Sequence, residues 1–264
     1  MAGISEKNRK ALARLHSSSS GLIDTSDVVN LLKLDRGEAS KFLSYLSRQG
    51  WARRVGKGTY LLIPLEASTT QAWSEDSWIL AHRLYSPGYI AGWTATEFWG
   101  LTEQIFRDIC VFTTARIRER QVSVDGTKFV LRKISQRRLY GLHSEWRKDV
   151  RIEVSDATKT LIDILDPPKW GGGIRHVSHV LGSYLDSEFL NYDLMVSHLE
   201  HARSGAIAKR LGYLLENHGI DDPALLESIR SLMTEGYALL DPSLPSRGKY
   251  VARWRLRVNA GLIE

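Results

Sequence analysis

The sequence predicts an α+β protein with three parts: an N-terminal winged helix-turn-helix, a mixed α/β region, and a C-terminal helical bundle with a closing strand. Three helix-like segments followed by a glycine-tipped hairpin predict the first part, over residues 1–65. Strand-like runs predict the second part within residues 70–155, and helical apolar spacing predicts the third over residues 156–264. We therefore expect two domains, 1–65 and 70–264, joined by a polar linker.

Basic charge is concentrated in the first quarter of the chain, whose 264 residues carry a net charge of +6. Residues 1–65 hold eleven Lys and Arg against five Asp and Glu, and the remaining residues hold 25 of each sign. The whole excess therefore lies in the N-terminal domain, which predicts that this end of the protein meets an anion.

Three helices are predicted within the N-terminal domain. The first covers residues 5–16, and the second runs from a cap at Asp24 or Thr25 to about Leu32. Asp35 caps the third helix, which ends at Gly50, a residue suited to the left-handed position that follows a helix.

The third helix has the composition of a recognition helix. Ala39, Phe42, Leu43 and Leu46 recur at helical spacing and define its core face. Small and basic side chains occupy the opposite side, where they suit entry into the major groove of duplex DNA. These predicted DNA contacts are Arg36, Ser40, Lys41, Ser44 and Arg48.

Two strand-like runs over residues 51–64 are joined by a turn that contains Gly56 and Gly58. This hairpin is the predicted wing, and Arg53, Arg54 and Lys57 near its tip are expected to contact the sugar-phosphate backbone. The alternative is a winged helix that docks onto protein.

Past a polar linker, residues 108–114, 128–134 and 150–156 read as strands. Between them lies a second basic patch, which either widens the DNA footprint, receives an acidic partner, or solvates a sheet edge. It comprises Arg116, Arg118, Arg132, Arg137 and Arg138. Four tryptophans that lie within 27 residues are expected to anchor a core rather than line a ligand-binding site. They are Trp73, Trp78, Trp93 and Trp99.

Helical patterns follow Asp156, including a long apolar repeat over residues 191–219. The alternation over residues 249–258 predicts one half-buried strand with a basic outer face. Its predicted buried face consists of Tyr250, Ala252, Trp254, Leu256 and Val258.

Signals for catalysis or metal binding are weak. The HxxH pairs His176/His179 and His198/His201 lack a neighbouring carboxylate signature, and Gly171–Gly173 is not followed by a Lys-Ser/Thr pair. We expect no catalytic residues, no metal and no cofactor, and a buried, inert thiol at Cys110. Because the chain contains no apolar run of about 18 residues and no signal-peptide pattern, we also expect a cytoplasmic protein without membrane contact.

Two C-terminal stretches carry a more specific signal. The stretches VSDATKTLIDILDPPKWGGG (154–173) and AKRLGYLLENHG (208–219), following the winged helix in this order, resemble the AbiEi family. Its members are the antitoxins of abortive-infection E toxin-antitoxin systems. Thr158 stands where the usual family pattern has Glu.

The resemblance implies a bifunctional, non-enzymatic protein. Its N-terminal domain would bind inverted repeats of duplex DNA in its own promoter and repress that operon. Its C-terminal domain would neutralise a toxin that resembles a nucleotidyltransferase. Two alternatives remain open. One is a regulator whose C-terminal region senses a ligand and that has no toxin partner. The other is an enzyme or nucleic-acid modifier whose winged helix serves only to dock it.

Overall fold

The computed structural model describes residues 5–18, 21–56, 58–64 and 75–262. Its first part contains three helices and a three-stranded antiparallel sheet in the order β1-β3-β2. The elements are α1 (Glu6–Ser18), β1 (Leu22–Asp24), α2 (Thr25–Leu32), α3 (Arg36–Arg48), β2 (Ala52–Gly56) and β3 (Thr59–Leu62). This arrangement confirms the predicted winged helix-turn-helix, to which it adds the short strand β1.

Side-chain caps determine where the second and third helices begin. Asp24 and Asp35 each accept hydrogen bonds from backbone amides of the first turn, and Asp27 and Glu38 bond back to the cap residues. These two capping boxes satisfy amide groups that have no partner within a helix. The winged-helix core below them includes Leu12, Leu15, Val28, Ala39, Leu43 and Leu46, all fully buried.

A six-stranded mixed sheet forms the middle of the chain, in the order β6-β7-β5-β4-β9-β8. The pairs β5–β7 and β4–β9 are parallel, and the other pairs are antiparallel. The elements are α4 (Ser77–Tyr85), β4 (Gly88–Ile90), α5 (Gly92–Phe98), β5 (Ile109–Thr113), β6 (Gln121–Val124), β7 (Thr127–Lys133), β8 (Leu142–Arg147) and β9 (Val150–Ser155). The three predicted strand runs correspond to β5, β7 and β9.

The C-terminal part is the predicted helical bundle, closed by a small three-stranded sheet rather than by a single strand. Its elements are α6 (Ala157–Ile164), α7 (Ile174–Leu185), α8 (Tyr192–Ala202), α9 (Gly205–Asn217), α10 (Pro223–Ser231), β10 (Ala238–Leu239), β11 (Lys249–Val251) and β12 (Leu256–Val258). The long apolar repeat of residues 191–219 is divided between α8 and α9, because Arg203 adopts a left-handed conformation with φ of 48°.

The prediction of one continuous strand over residues 249–258 is wrong. A 3₁₀ turn at Ala252–Trp254 reverses the chain, so β11 pairs antiparallel with β12. The reversal buries Trp254 and Leu256 completely but leaves Tyr250 61% exposed. Strict alternation was broken because Arg255 takes a left-handed conformation with φ of 45°.

Helix α6 is buried on every side, and all eight of its residues are inaccessible to solvent. Its apolar residues join the bundle core, while Lys159 and Asp163 face the sheet. The Lys159 ammonium donates to Asp163 at 2.6 Å and to the Tyr89 hydroxyl at 2.9 Å. Burial lowers the pKa of Lys159, and the carboxylate of Asp163 opposes that shift. The pair lets a charged helix face lie inside the protein, because each charge has its partner.

Strand β3 connects the winged helix to the second part of the structure. Tyr60 and Leu62 belong to the winged-helix core, whereas Leu61 between them is fully buried in the core around Trp78 and Phe129. Alternate residues of a strand point to opposite faces, so β3 is buried on both. The winged helix is therefore packed directly on the second domain.

Close packing of α9 on the closing turn gives a test of this fold. An alanine methyl group at Gly212 would overlap the indole ring of the fully buried Trp254. We expect Gly212→Ala to lower the free energy of unfolding by about 1 to 3 kcal/mol, because an overpacked core must shift. Urea titration followed by circular dichroism measures the change.

Gly182→Ala in α7 is the matched control, since its methyl group would lie 3.2 Å from the ring of His218, a side chain at the surface rather than in the core. We expect a change within about 0.5 kcal/mol for this variant. Equal effects of the two substitutions would contradict the packing described for α9.

Candidate nucleic-acid interface

The outer side of α3 presents the basic stripe that the sequence predicts. Arg36, Ser40, Lys41 and Arg48 are exposed, and Ser44 is half-buried with its hydroxyl donating to the carbonyl of Ser40 at 2.9 Å. None of the three cations forms an ion pair with another described residue. Their charges are therefore available to a partner.

The opposite side of α3 explains why this stripe faces outward. Ala39, Leu43 and Leu46 are fully buried, and Phe42 is half-buried at the edge of the core. At about 100° per residue, positions 37, 41, 44 and 48 lie across the helix from that face. Core packing and exposed charge thus determine one orientation of the helix.

The wing is the hairpin of β2 and β3, with a register shift between Arg54 and Gly56. Arg54 is exposed, and its Nε donates to the carbonyl of Gly56 at 3.2 Å. This bond holds the guanidinium near the tip of the wing. Lys57, the third predicted wing cation, lies outside the described residues.

Arg53 does not join the outer surface of the wing. Its guanidinium forms an ion pair with Asp125, in the turn between β6 and β7, and the Asp125 side chain is fully buried. The sequence gives Asp125 only as part of a turn signal, because the two residues are far apart along the chain. Arg53 therefore stands at the contact between the winged helix and the second domain.

The five arginines of the second basic patch have two different environments. Arg116, Arg118 and Arg137 are exposed. Arg132 and Arg138 instead contact the carboxylate of Asp166, at 2.9 and 2.5 Å. Burial raises the pKa of Asp166, but the two guanidiniums outweigh it, so the pKa lies below its ordinary value.

The Arg132 guanidinium also lies over the rings of Phe112 and Trp170, at 5.0 and 5.8 Å from their centroids. Arg132 and Arg138 thus tie β7 and the following turn to the end of α6. The structure leaves three of the five predicted patch residues open to solvent.

Three of the four histidines weighed from the sequence have partners within the protein. His176 contacts the carbonyl of Gly171, and His198 contacts the Asp156 carboxylate at 2.9 Å. His201 contacts the carbonyl of Ser197, while His179 is exposed. Cys110 is fully buried, and burial raises the pKa of its thiol, so it is an unreactive core residue.

Three of the four tryptophans singled out from the sequence have structural roles. Trp78 belongs to the second core, Trp93 donates to the carbonyl of Asp108, and Trp99 donates to the carbonyl of Ser155, both at 2.7 Å. Trp73 lies outside the described residues. Within the described ranges, no helix has the length and apolar character needed to cross a membrane.

Comparison with known proteins confirms the family resemblance over the N-terminal domain. A family model described as "Transcriptional regulator, AbiEi antitoxin" matches residues 10–63, from α1 to just beyond β3. This segment therefore has the pattern of a transcriptional regulator rather than of an enzyme class. A comparison with curated proteins finds no match.

Among solved structures, the chain resembles the crystal structure of the RV2827C protein from Mycobacterium tuberculosis. The TM-score is 0.61 and the sequence identity is 16%, with 97% of this chain and 92% of that chain covered. At this identity the likeness shows the fold alone. It extends over the whole arrangement of winged helix, mixed sheet and helical bundle.

The contrast between Arg53 and Arg54 gives a test of the wing. We expect Arg54→Ala to reduce the slope of log K against log salt for DNA binding by about one unit, since one phosphate contact is lost. Arg53→Ala should leave that slope unchanged. It should instead lower the free energy of unfolding by about 1 to 3 kcal/mol, because the buried Asp125 loses its partner.

Asp125→Asn is the matched variant on the other side of this ion pair, and we expect it to recover part of the lost stability when combined with Arg53→Ala, because the buried side chain is then uncharged. Salt-dependent binding titrations and urea unfolding separate the two effects. A reduced salt slope with intact stability in Arg53→Ala would contradict the position assigned to Arg53.

Proposed function

We propose that this chain, whose residues 10–63 match the AbiEi family of antitoxin transcriptional regulators, binds inverted repeats in its own promoter and represses that operon. The observation that carries the proposal is the exposed basic stripe of α3 on a winged helix-turn-helix. The rest of the chain would neutralise the toxin of the same operon, a nucleotidyltransferase-like protein. This role needs no catalytic residue, metal or cofactor.

Recognition would divide between two kinds of contact. Lys41, Ser44 and Arg48 in α3 would lie in the major groove, where base edges carry a sequence-specific pattern of donors and acceptors. Arg36 and the wing cation Arg54 would bind phosphates and supply salt-dependent affinity. Two protomers on an inverted repeat would place two α3 helices about one turn of DNA apart.

Burial of the family-like stretches supports a structural role for them. Residues 157–164 are entirely buried, and most of α9 is buried as well. Thr158, at the position where the family pattern has Glu, bonds to the Tyr184 hydroxyl at 2.8 Å inside the protein. Toxin contacts would therefore come from exposed residues rather than from the buried majority of these stretches, which hold the shape of this part of the chain.

An electrophoretic mobility shift titration against the DNA upstream of the gene tests the repressor role. We expect the full-length protein to retard this DNA in preference to shuffled sequence. Lys41→Ala and Arg48→Ala should each weaken specific binding by about 1 to 3 kcal/mol if their side chains reach base edges.

Lys169→Ala, which removes an exposed lysine from the C-terminal half, is the matched control and should bind like the parent protein. Equal retardation of upstream and shuffled DNA would contradict the proposal and favour a winged helix that docks onto protein.

The antitoxin role is tested separately from repression by expressing the toxin from an unrelated promoter. We expect the variant Lys41→Ala/Arg48→Ala, deficient in operator binding, to restore colony formation as well as the parent chain does. The physical reason is that α3 lies on the winged helix, apart from the surfaces of the bundle. Loss of protection in this variant would contradict neutralisation by the C-terminal domain.

A further inference from the structure

The closing sheet of the bundle exposes two tyrosines on its outer face. Tyr250 in β11 lies directly opposite Arg257 in β12, whereas the next pair, Val251 and Leu256, faces inward. Leu256 is fully buried, but Tyr250 is 61% exposed and Tyr237, just before β10, is 54% exposed. Their rings lie 5.0 Å apart between centroids and are nearly perpendicular. Together they form an aromatic surface at the end of the molecule.

The segment that carries this aromatic pair is basic, and one of its arginines contacts the pair. The Arg257 guanidinium lies 5.2 Å from the centre of the Tyr250 ring. Residues 232–262 contain five Lys and Arg but only two carboxylates, Glu235 and Asp241. Asp241 is buried and receives hydrogen bonds from the backbone amides of Ile174 and Ser243, so it does not offset the surface charge. The cations are Arg247, Lys249, Arg253, Arg255 and Arg257.

Not all of these cations are equally available. Arg253 contacts Glu216 at 2.7 Å, and Arg255 donates to the carbonyl of Thr234 at 3.3 Å. Arg247 and Lys249 are exposed and form no ion pair with a described residue. Lys249 alternates with Tyr250 along β11 and therefore points to the opposite face, so Arg247, three residues before Tyr250, is the unpaired cation that we assign to the tyrosine surface.

Aromatic rings on an open sheet face, bordered by arginine, match the chemistry of single-stranded nucleic acid. Unpaired bases stack on exposed aromatic rings and on guanidinium planes, while nearby cations bind the backbone phosphates. A duplex keeps its bases stacked inside, so the tyrosines would gain nothing from it. Tyrosine and arginine also occur in protein interfaces, but nucleic-acid interfaces are much more positively charged, so the excess of cations in residues 232–262 favours a nucleic-acid partner here.

We propose that Tyr237, Tyr250 and Arg257 form a stacking site for single-stranded RNA or DNA, with Arg247 binding a phosphate. This site is separate from α3 and does not rest on the operator-binding role. It would give the C-terminal part of the chain a nucleic-acid contact of its own.

Fluorescence anisotropy with labelled ten-nucleotide strands of oligo-U and oligo-dT tests the site. Every protein in the experiment is full-length and carries Lys41→Ala/Arg48→Ala, so that weakened binding by α3 does not obscure the result. We expect Tyr237→Ala and Tyr250→Ala each to raise Kd about tenfold, the effect of losing one stacked base. Tyr250→Phe should retain binding, because the ring is kept.

Trp146→Ala is the control, since Trp146 on β8 is 64% exposed and lies outside the closing sheet. It should bind both strands like the parent. A preference for oligo-U assigns the site to RNA and a preference for oligo-dT assigns it to DNA; either result supports stacking at this sheet. Circular dichroism confirms that each variant is folded.

Three results would overturn the proposal. The first is unchanged affinity in both tyrosine-to-alanine variants, and the second is an equal loss in Trp146→Ala. The third is failure of both strands to bind while an acidic Glu-Tyr copolymer binds in a Tyr250-dependent manner, which would make the surface a protein-docking site.

Discussion

Strand β3 is buried on both faces, and the relation between the winged helix and the rest of the chain depends on this burial. Complete burial of one leucine such as Leu61 contributes about 1.5 to 3 kcal/mol, and the Arg53–Asp125 ion pair lies on the neighbouring strand of the same sheet. The winged-helix sheet is therefore shared between two cores. The stripe of α3 points away from its own core, which leaves it accessible while the sheet is covered.

A second constraint operates inside the bundle. Helix α6 carries Lys159 and Asp163 one turn apart, and both side chains are almost completely buried. Removing either partner alone would leave an uncompensated charge, so the pair and Tyr89 specify how the helix meets the sheet. This accounts for a family-like stretch that is recognisable in sequence yet inaccessible to a partner. The recognition that we propose for this protein therefore uses the exposed surfaces that this frame supports.

Local signals in the sequence were sufficient for the winged helix. Asp24 and Asp35 were identifiable as caps, and the spacing of Ala39, Leu43 and Leu46 gave the orientation of α3. Contacts between residues far apart in the sequence could not be predicted. The pairing of Arg53 with Asp125 depends on how the winged helix packs on the rest of the chain. Strand β1 was missed because three residues are too few to show alternation. The prediction of one strand over residues 249–258 failed for a different reason. The left-handed conformation of Arg255 reverses the chain within an alternation of apolar and basic residues that is continuous in the sequence. The exposed Tyr250 could be recognised only once that reversal was known.

Hydroxyl-radical footprinting of the upstream DNA, bound to the full-length protein, tests most directly whether α3 and the wing read an operator. If two α3 helices read an inverted repeat, we expect discrete protected segments in two half-sites, with centres separated by about 10 base pairs or a multiple of that spacing. Protection spread evenly along the fragment, or none at the inverted repeat, would contradict it.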